Sequence, residues 1–186
     1  NGTRLPRLAV PLKAAGLTRL NISLDTMNPE RFRQITGNGT LPSVLEGIEA
    51  AVATGFSPLK LNVVVLRGVN DSELGSLVDF AVSRGAIVRF IELMPLTLGS
   101  QWKRYYVPRE EMLARLSDQV EPVPLDPGGS EPATYYRLKD GRGVVGLISP
   151  ISCNFCARCN RLRLTADGFL RPCLYREGEV ELKGAL

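Results

Sequence analysis

Histidine is absent from all 186 residues. That absence excludes an imidazole-based catalytic triad, a histidine general base and any zinc site with a histidine ligand. Catalysis must therefore come from carboxylates, lysine, cysteine or a bound cofactor. Aromatic residues make up only 6% of the chain, with a single tryptophan, which leaves little for stacking the bases of a single-stranded nucleic acid. No apolar run is long enough to cross a bilayer and no signal-peptide pattern is present, so neither a membrane protein nor an exported one is expected. Charge of one sign is also scarce, with 23 basic residues against 19 acidic ones. This suits an anionic ligand without choosing between a small molecule and nucleic acid. A chain of this length buries roughly 70% of its unfolded surface and needs no disulfide to fold. Its few cysteines point to a reducing compartment, the cytoplasm by expectation, and to a metal site.

All four cysteines lie near the C-terminal end: Cys153, Cys156, Cys159 and Cys173, spaced C-x2-C-x2-C-x13-C. The long interval reads as a short strand, an Asp167-Gly168 hairpin turn and a second strand, which returns Cys173 toward Cys156 and Cys159. Three or four converging thiolates hold a soft metal, either structural zinc or an iron–sulfur cluster. A zinc ribbon wants two C-x2-C pairs, whereas Cys173 stands alone, so the pattern fits a cluster somewhat better. Arg161 and Arg163 are two apart, point the same way on a strand and flank Cys159. Guanidinium forks there suit phosphate or an anionic base edge; their plainer alternative is a solvated strand face.

The first half alternates strand and helix. Helical pattern over residues 4–16 is followed by a strand over 18–24, and Asn28-Pro29 caps a helix running to about Ile35. A helix from Pro42 to Thr54 stops at Gly55, and a strand covers Leu59 to Leu66. Asn70 and Glu73 have the spacing of a capping box for a helix that ends before Gly85, and Ile87 to Leu93 is the next strand. Such alternation predicts βαβ units and a parallel sheet. From Pro95 the alternation stops. A helix from Pro108 to Leu116 precedes strands near 134–139 and 143–148, with prolines and glycines crowded between Glu121 and Glu131. The second region, residues 96–186, is thus expected to be an irregular, mostly antiparallel extension that bears the metal site. No repeat or low-complexity segment is apparent.

Splitting the strands into alternate faces brings out a second signal. Asn21, Ser23 and Asp25 share one face, as do Lys60, Asn62 and Val64, and Glu92 lies with Phe90 and Met94. A parallel strand covered on both sides reads as continuous aliphatic sequence, so a repeatedly polar face suggests a ligand-lined or wet channel. The alternative is internal pairing, Lys60 with Glu92 for instance.

These residues carry a family resemblance. Asn21-Ile-Ser-Leu-Asp25, Lys60-Leu-Asn-Val-Val64, Arg67-Gly-Val-Asn-Asp71, Phe90-Ile-Glu-Leu-Met-Pro95 and the segment from Phe155 through Cys156, Cys159, Arg161, Arg163 and Asp167-Gly168 to Cys173 closely resemble the molybdenum cofactor biosynthesis protein A family. These are the radical S-adenosylmethionine GTP 3′,8-cyclases. The resemblance extends over nearly the whole chain, and the cysteine segment is its most specific part.

The resemblance implies an α/β fold: the C-terminal part of an incomplete (β/α)6 TIM-like radical S-adenosylmethionine barrel over residues 1–95, then a segment over 96–186 with a second [4Fe–4S] cluster. It maps that cluster onto Cys156, Cys159 and Cys173, with the fourth iron left open for the guanine of GTP. It makes Arg161 and Arg163 the candidate catalytic pair that contacts GTP, Lys60 a phosphate ligand, and Ser23 and Met94 contacts of S-adenosylmethionine. Lys60 begins its strand rather than ending it, unusual for a barrel site; the resemblance accounts for this, since GTP reaches down the channel. In the implied reaction a first [4Fe–4S] cluster cleaves S-adenosylmethionine to a 5′-deoxyadenosyl radical, which takes the 3′ hydrogen of GTP, and the ribose radical closes on C8. Cyclic pyranopterin monophosphate synthase acts next.

Two departures qualify this expectation. The family's C-x3-C-x2-C motif for the radical-generating cluster is absent, and the chain opens on Asn1-Gly2-Thr3 and stops at Leu186 before a diglycine tail. It is therefore expected to be a piece starting about mid-barrel and unable to begin the reaction alone. Cys153 is an extra thiol, read as a bystander or as an occupant of the open iron site. Unpaired strand edges on the N-terminal side would favour a homodimer or aggregation. The runner-up is a zinc-binding module with nucleic acid as its candidate ligand, using all four cysteines with Arg161, Arg163 and Arg171. Against it, the basic residues form no stripe and stacking aromatics are sparse, so no nucleic-acid partner is expected.

Overall fold

Strands with one wholly aliphatic face need helices to cover it, and that requirement organises the fold. A computed structural model describes residues 1–96, 99–125, 131–175 and 178–185, without the side chains of 122–125, 158 and 185. Helix α1 (Leu5–Ala14) leads to β1 (Leu20–Ser23), α2 (Pro29–Thr36), α3 (Leu41–Ala53), β2 (Leu59–Val65), α4 (Leu74–Val82) and β3 (Ile87–Glu92). After these come two short helices, α5 (Trp102–Tyr105) and α6 (Arg109–Arg115), then β4 (Val120–Leu125), β5 (Ala133–Leu138) and β6 (Val144–Ile148). The six strands form one sheet in the order β1-β2-β3-β6-β5-β4. The first four are mutually parallel, and β4, β5 and β6 pair antiparallel. The extension after residue 95 thus continues the parallel sheet through β6.

The two faces of this sheet differ. Leu59, Leu61, Val63 and Val65 are buried on one side of β2, while Lys60, Asn62 and Val64 are half-buried on the other. Ile22, Val88 and Phe90 join the aliphatic side, covered by Val44 and Ile48 of α3 and Leu77 and Val78 of α4. Each such side chain contributes about 1.5–3 kcal/mol through burial. Gly47 of α3 lies so close to the first loop that an added Cβ would stand 2.1 Å from the Gly2 carbonyl oxygen. Only glycine allows that approach.

Asn28 caps α2 as expected, its side chain accepting the N–H groups of Glu30 and Arg31 at 3.0 Å. The capping box at Asn70 and Glu73 does not form. The Asn70 side chain instead accepts the Leu66 N–H and donates to the carbonyls of Asp25 and Val64, tying the end of β1 to that of β2. Glu73 takes the Thr26 hydroxyl, the Met27 N–H and the Arg31 guanidinium. Both side chains serve tertiary bonds, so α4 begins later, at Leu74.

Register decides how the alternative of internal pairing is met. Lys60 pairs with Ile87, Asn62 with Arg89 and Val64 with Ile91, so Arg89 occupies the polar face and Glu92 points to the helix side. Lys60 and Glu92 are therefore not partners; Lys60 is paired with Glu131. Strand β4 was also unexpected. It sits at the sheet edge, the position where prolines such as Pro122 and Pro124 are tolerated. A second sheet, β7 (Arg163–Leu164), β8 (Phe169–Arg171) and β9 (Val180–Glu181), is a small antiparallel meander.

Candidate active site

The polar face of the large sheet opens onto two adjoining cavities. The smaller, about 420 Å³, is lined by Asn21, Lys60, Arg89 and Glu131. Arg89 is 8% exposed and is held rigidly, its Nε donating to Asn62 Oδ1 at 2.9 Å and Nη2 to Asn21 Oδ1 at 2.8 Å. Opposite it in β6 is Gly146, where a Cβ would stand 2.9 Å from Arg89 Cγ. That glycine leaves the guanidinium stem its room. Lys60 Nζ lies 2.7 Å from Glu131 Oε1 and 5.6 Å from the centre of the Tyr135 ring. Hydrogen bonds from Lys60, then from Tyr135, hold the Glu131 carboxyl below its ordinary range.

Arg89 is the residue that sequence reasoning missed. Within β3 it stands among aliphatic neighbours, and nothing in one strand reveals which face it takes. The signal lies in the pairing of β3 with Lys60 and Asn62 on β2.

The larger cavity, about 610 Å³, shares Asn21 and Arg89 with the smaller one and extends to the cysteine segment. Cys156, Cys159 and Cys173 all line it, as do Arg161, Arg163 and Met94. The hairpin responsible has Gly168 at φ +87°, with the Thr165 N–H donating to the Phe169 carbonyl and the Phe169 N–H to the Thr165 hydroxyl across the turn. Phe155 also lines the wall, and the Arg161 guanidinium lies 5.1 Å from its ring centre. The Arg161 backbone N–H, then its side chain, then the charge of Arg163 hold the Cys159 thiol below its ordinary value. That shift moves Cys159 toward the thiolate, the metal-binding form, relative to an unperturbed thiol.

The thiols share one wall without converging. Among the described residues no group of three or more cysteine, aspartate or glutamate side chains is gathered closely enough to hold a metal ion. Cys153 is exposed and is not among the described lining residues; it lies near Arg109, whose guanidinium bonds the Tyr136 hydroxyl. Ser23 lies on the polar face as the register partner of Asn62 but is exposed and outside both linings. Of the expected site residues, the structure brings six to one cavity, places Lys60 in the adjoining one and leaves Ser23 beside them. No helix among the described residues is long and apolar enough to cross a membrane.

Comparison with known proteins gives this wall a context. Residues 86–186 match the family Molybdenum Cofactor Synthesis C, and residues 1–81 match the Radical SAM superfamily. Relatives named GTP 3′,8-cyclase include those of Moorella thermoacetica, 51% identical over 188 residues, Pelotomaculum thermopropionicum, 48% over 189, and Pseudomonas putida, 48% over 189. In each, all of this chain is aligned. The chain spans 58%, 58% and 57% of those relatives. The cysteine hairpin and the sheet strand that leads to it lie within the first match, and the chain accordingly belongs to the Molybdenum Cofactor Synthesis C family, behind a radical SAM segment.

Proposed function

We propose that this chain is the GTP-holding part of a radical S-adenosylmethionine GTP 3′,8-cyclase of molybdenum cofactor synthesis. The observation that carries the reading is the single wall on which Cys156, Cys159 and Cys173 stand beside Arg161 and Arg163. Three thiols on the wall of one cavity suit a [4Fe–4S] cluster with one iron left for a substrate. A zinc site of four cysteines would need Cys153, which is not among the described residues of that wall. Bound there, the cluster would supply an iron that coordinates the guanine. Arg161 and Arg163 offset the negative charge of the thiolates and donate to the nucleotide.

The adjoining cavity suits the triphosphate. Lys60 and Arg89 face it, Asn21 and Asn62 hold the Arg89 fork in place, and the carboxylate of Glu131 must release Lys60 before an anion can take it. Each cavity falls within the roughly 300–1,000 Å³ usual for ligand sites, and the residues they share make them one continuous trough. Met94, on its wall, would contact S-adenosylmethionine, with Ser23 adjacent. The sheet would form part of an incomplete (β/α)6 barrel over residues 1–95, and residues 96–186 would carry the second cluster. The 186 residues contain no C-x3-C-x2-C set, so they supply the GTP end of the reaction and not the radical source. By themselves they would be inactive. The product would pass to cyclic pyranopterin monophosphate synthase in the cytoplasm, and a homodimer would cover the open edge of β1.

GTP titrated into cluster-loaded chain tests this. Arg161→Ala and Arg163→Ala should each weaken binding roughly tenfold or more, the usual loss for a charge-assisted bond. Unchanged affinity in both variants would contradict the assignment.

A further inference from the structure

The cysteine segment has little packing of its own: among the described residues of 151–185 none is buried. Something other than apolar contact must set its position against the sheet. Glu92, at the end of β3 and 1% exposed, is the fully buried acid among the described residues. Its carboxylate accepts the N–H of Arg109 at 2.9 Å, the N–H groups of Ile151 and Ser152 at 2.9 and 3.0 Å, and the Ser152 hydroxyl. The Tyr106 phenol lies against the same group, its ionisation pushed up to about 12 by burial and then by the charge of Glu92. A charged group persists in an interior only where several donors converge on it, and here they come from α6 and from the chain leading into the cysteines. Met94 lies two residues beyond Glu92 and Cys153 one beyond Ser152.

We propose that Glu92 is a positioning residue: it pins the start of the cysteine segment to the end of β3 and so sets Cys156, Cys159 and Arg161 relative to Met94 across the cavity. This rests on the reading of that cavity as a cluster and nucleotide site. A neutral amide in its place can accept at only one end, leaving one of the facing N–H groups opposed by another donor.

The test loads parent, Glu92→Gln and Ser152→Ala chains anaerobically with iron and sulfide, reduces the cluster by one electron with dithionite to its EPR-active state, and titrates GTP while following the EPR spectrum. Glu73→Gln accompanies them as a control, since that carboxylate bonds Thr26, Met27 and Arg31 rather than the cysteine segment. All are read at a temperature where circular dichroism shows each to be folded. Glu92→Gln should bind GTP roughly tenfold more weakly, the common cost of losing an outer support. Ser152→Ala should move the same way by less, and Glu73→Gln should lower only the melting temperature. Equal affinity and spectra in parent, Glu92→Gln and Ser152→Ala overturn the proposal, as does an equal loss in Glu73→Gln. Should Glu92→Gln not fold, Ser152→Ala decides alone by the same criterion. A parent that takes up no iron or binds no GTP overturns the site reading, and this inference with it.

Discussion

The aliphatic side of the large sheet and the cysteine meander represent opposite ways of holding a structure. Phe90, Leu61 and Val63 are 1% exposed or less, locked by helices on one side and by parallel neighbours on both edges. Leu162, Leu164, Leu174 and Val180 of the meander are each about half exposed or more, and β7 and β9 are two residues long. Burial at that density gives the sheet its own stability. The meander depends on point attachments: the Glu92 carboxylate at its entry, Arg171 with Glu179, and whatever its thiols bind. A buried sheet thus carries Lys60, Asn62 and Arg89, while the cysteine segment has no buried residue among those described.

Paired truncations break or sharpen this contrast. Phe90→Ala should destabilise the chain by about 3–5 kcal/mol, the usual loss for a fully buried ring, seen as a lower urea midpoint with unchanged slope. A smaller effect concerns Glu73. Burial pushes its carboxyl up, but the Arg31, Met27 and Thr26 bonds outweigh this and leave it below its ordinary 4.5. Its contribution is therefore present above about pH 4.5 and is lost as pH falls through the lower folded value. Urea unfolding at pH 7 and at pH 3 should show a clear gap between parent and Glu73→Gln at the first and a narrowed gap at the second. An equal gap at both would show that the ionised form contributes nothing. Leu164→Ala, on the meander, should change stability by no more than about 0.5 kcal/mol. A loss there as large as that of Phe90→Ala would abolish the distinction between the regions.

Legibility followed the same divide. The strand–helix alternation, the Asn28 cap and the Asp167-Gly168 turn were readable because each depends on residues close in sequence. The cavity linings were readable where the residues are unusual: Cys156, Cys159 and Cys173 at their spacing, and Lys60 and Asn62 on one face of a strand. What escaped depends on register or tertiary competition. Arg89 joins the site only once β2 and β3 are paired, and Glu92, placed by alternation with Phe90, faces the helices because that pairing sets the polar face elsewhere. Asn70 and Glu73 have the spacing of a cap, yet stronger partners at the strand ends claim both side chains. Strand β4 was hidden because prolines argue against a strand everywhere except at an edge.

The central claim is that Cys156, Cys159 and Cys173 hold an iron–sulfur cluster with one iron open to GTP. Its most direct test is the iron, sulfide and zinc content of anaerobically prepared chain, with the visible spectrum, before and after GTP is added. The account predicts about four iron and four sulfide per chain, as a [4Fe–4S] cluster requires, a spectrum that shifts with GTP, and full loss of iron in Cys173→Ala but not in Cys153→Ala. One zinc per chain without iron, or iron lost equally with Cys153, would contradict it.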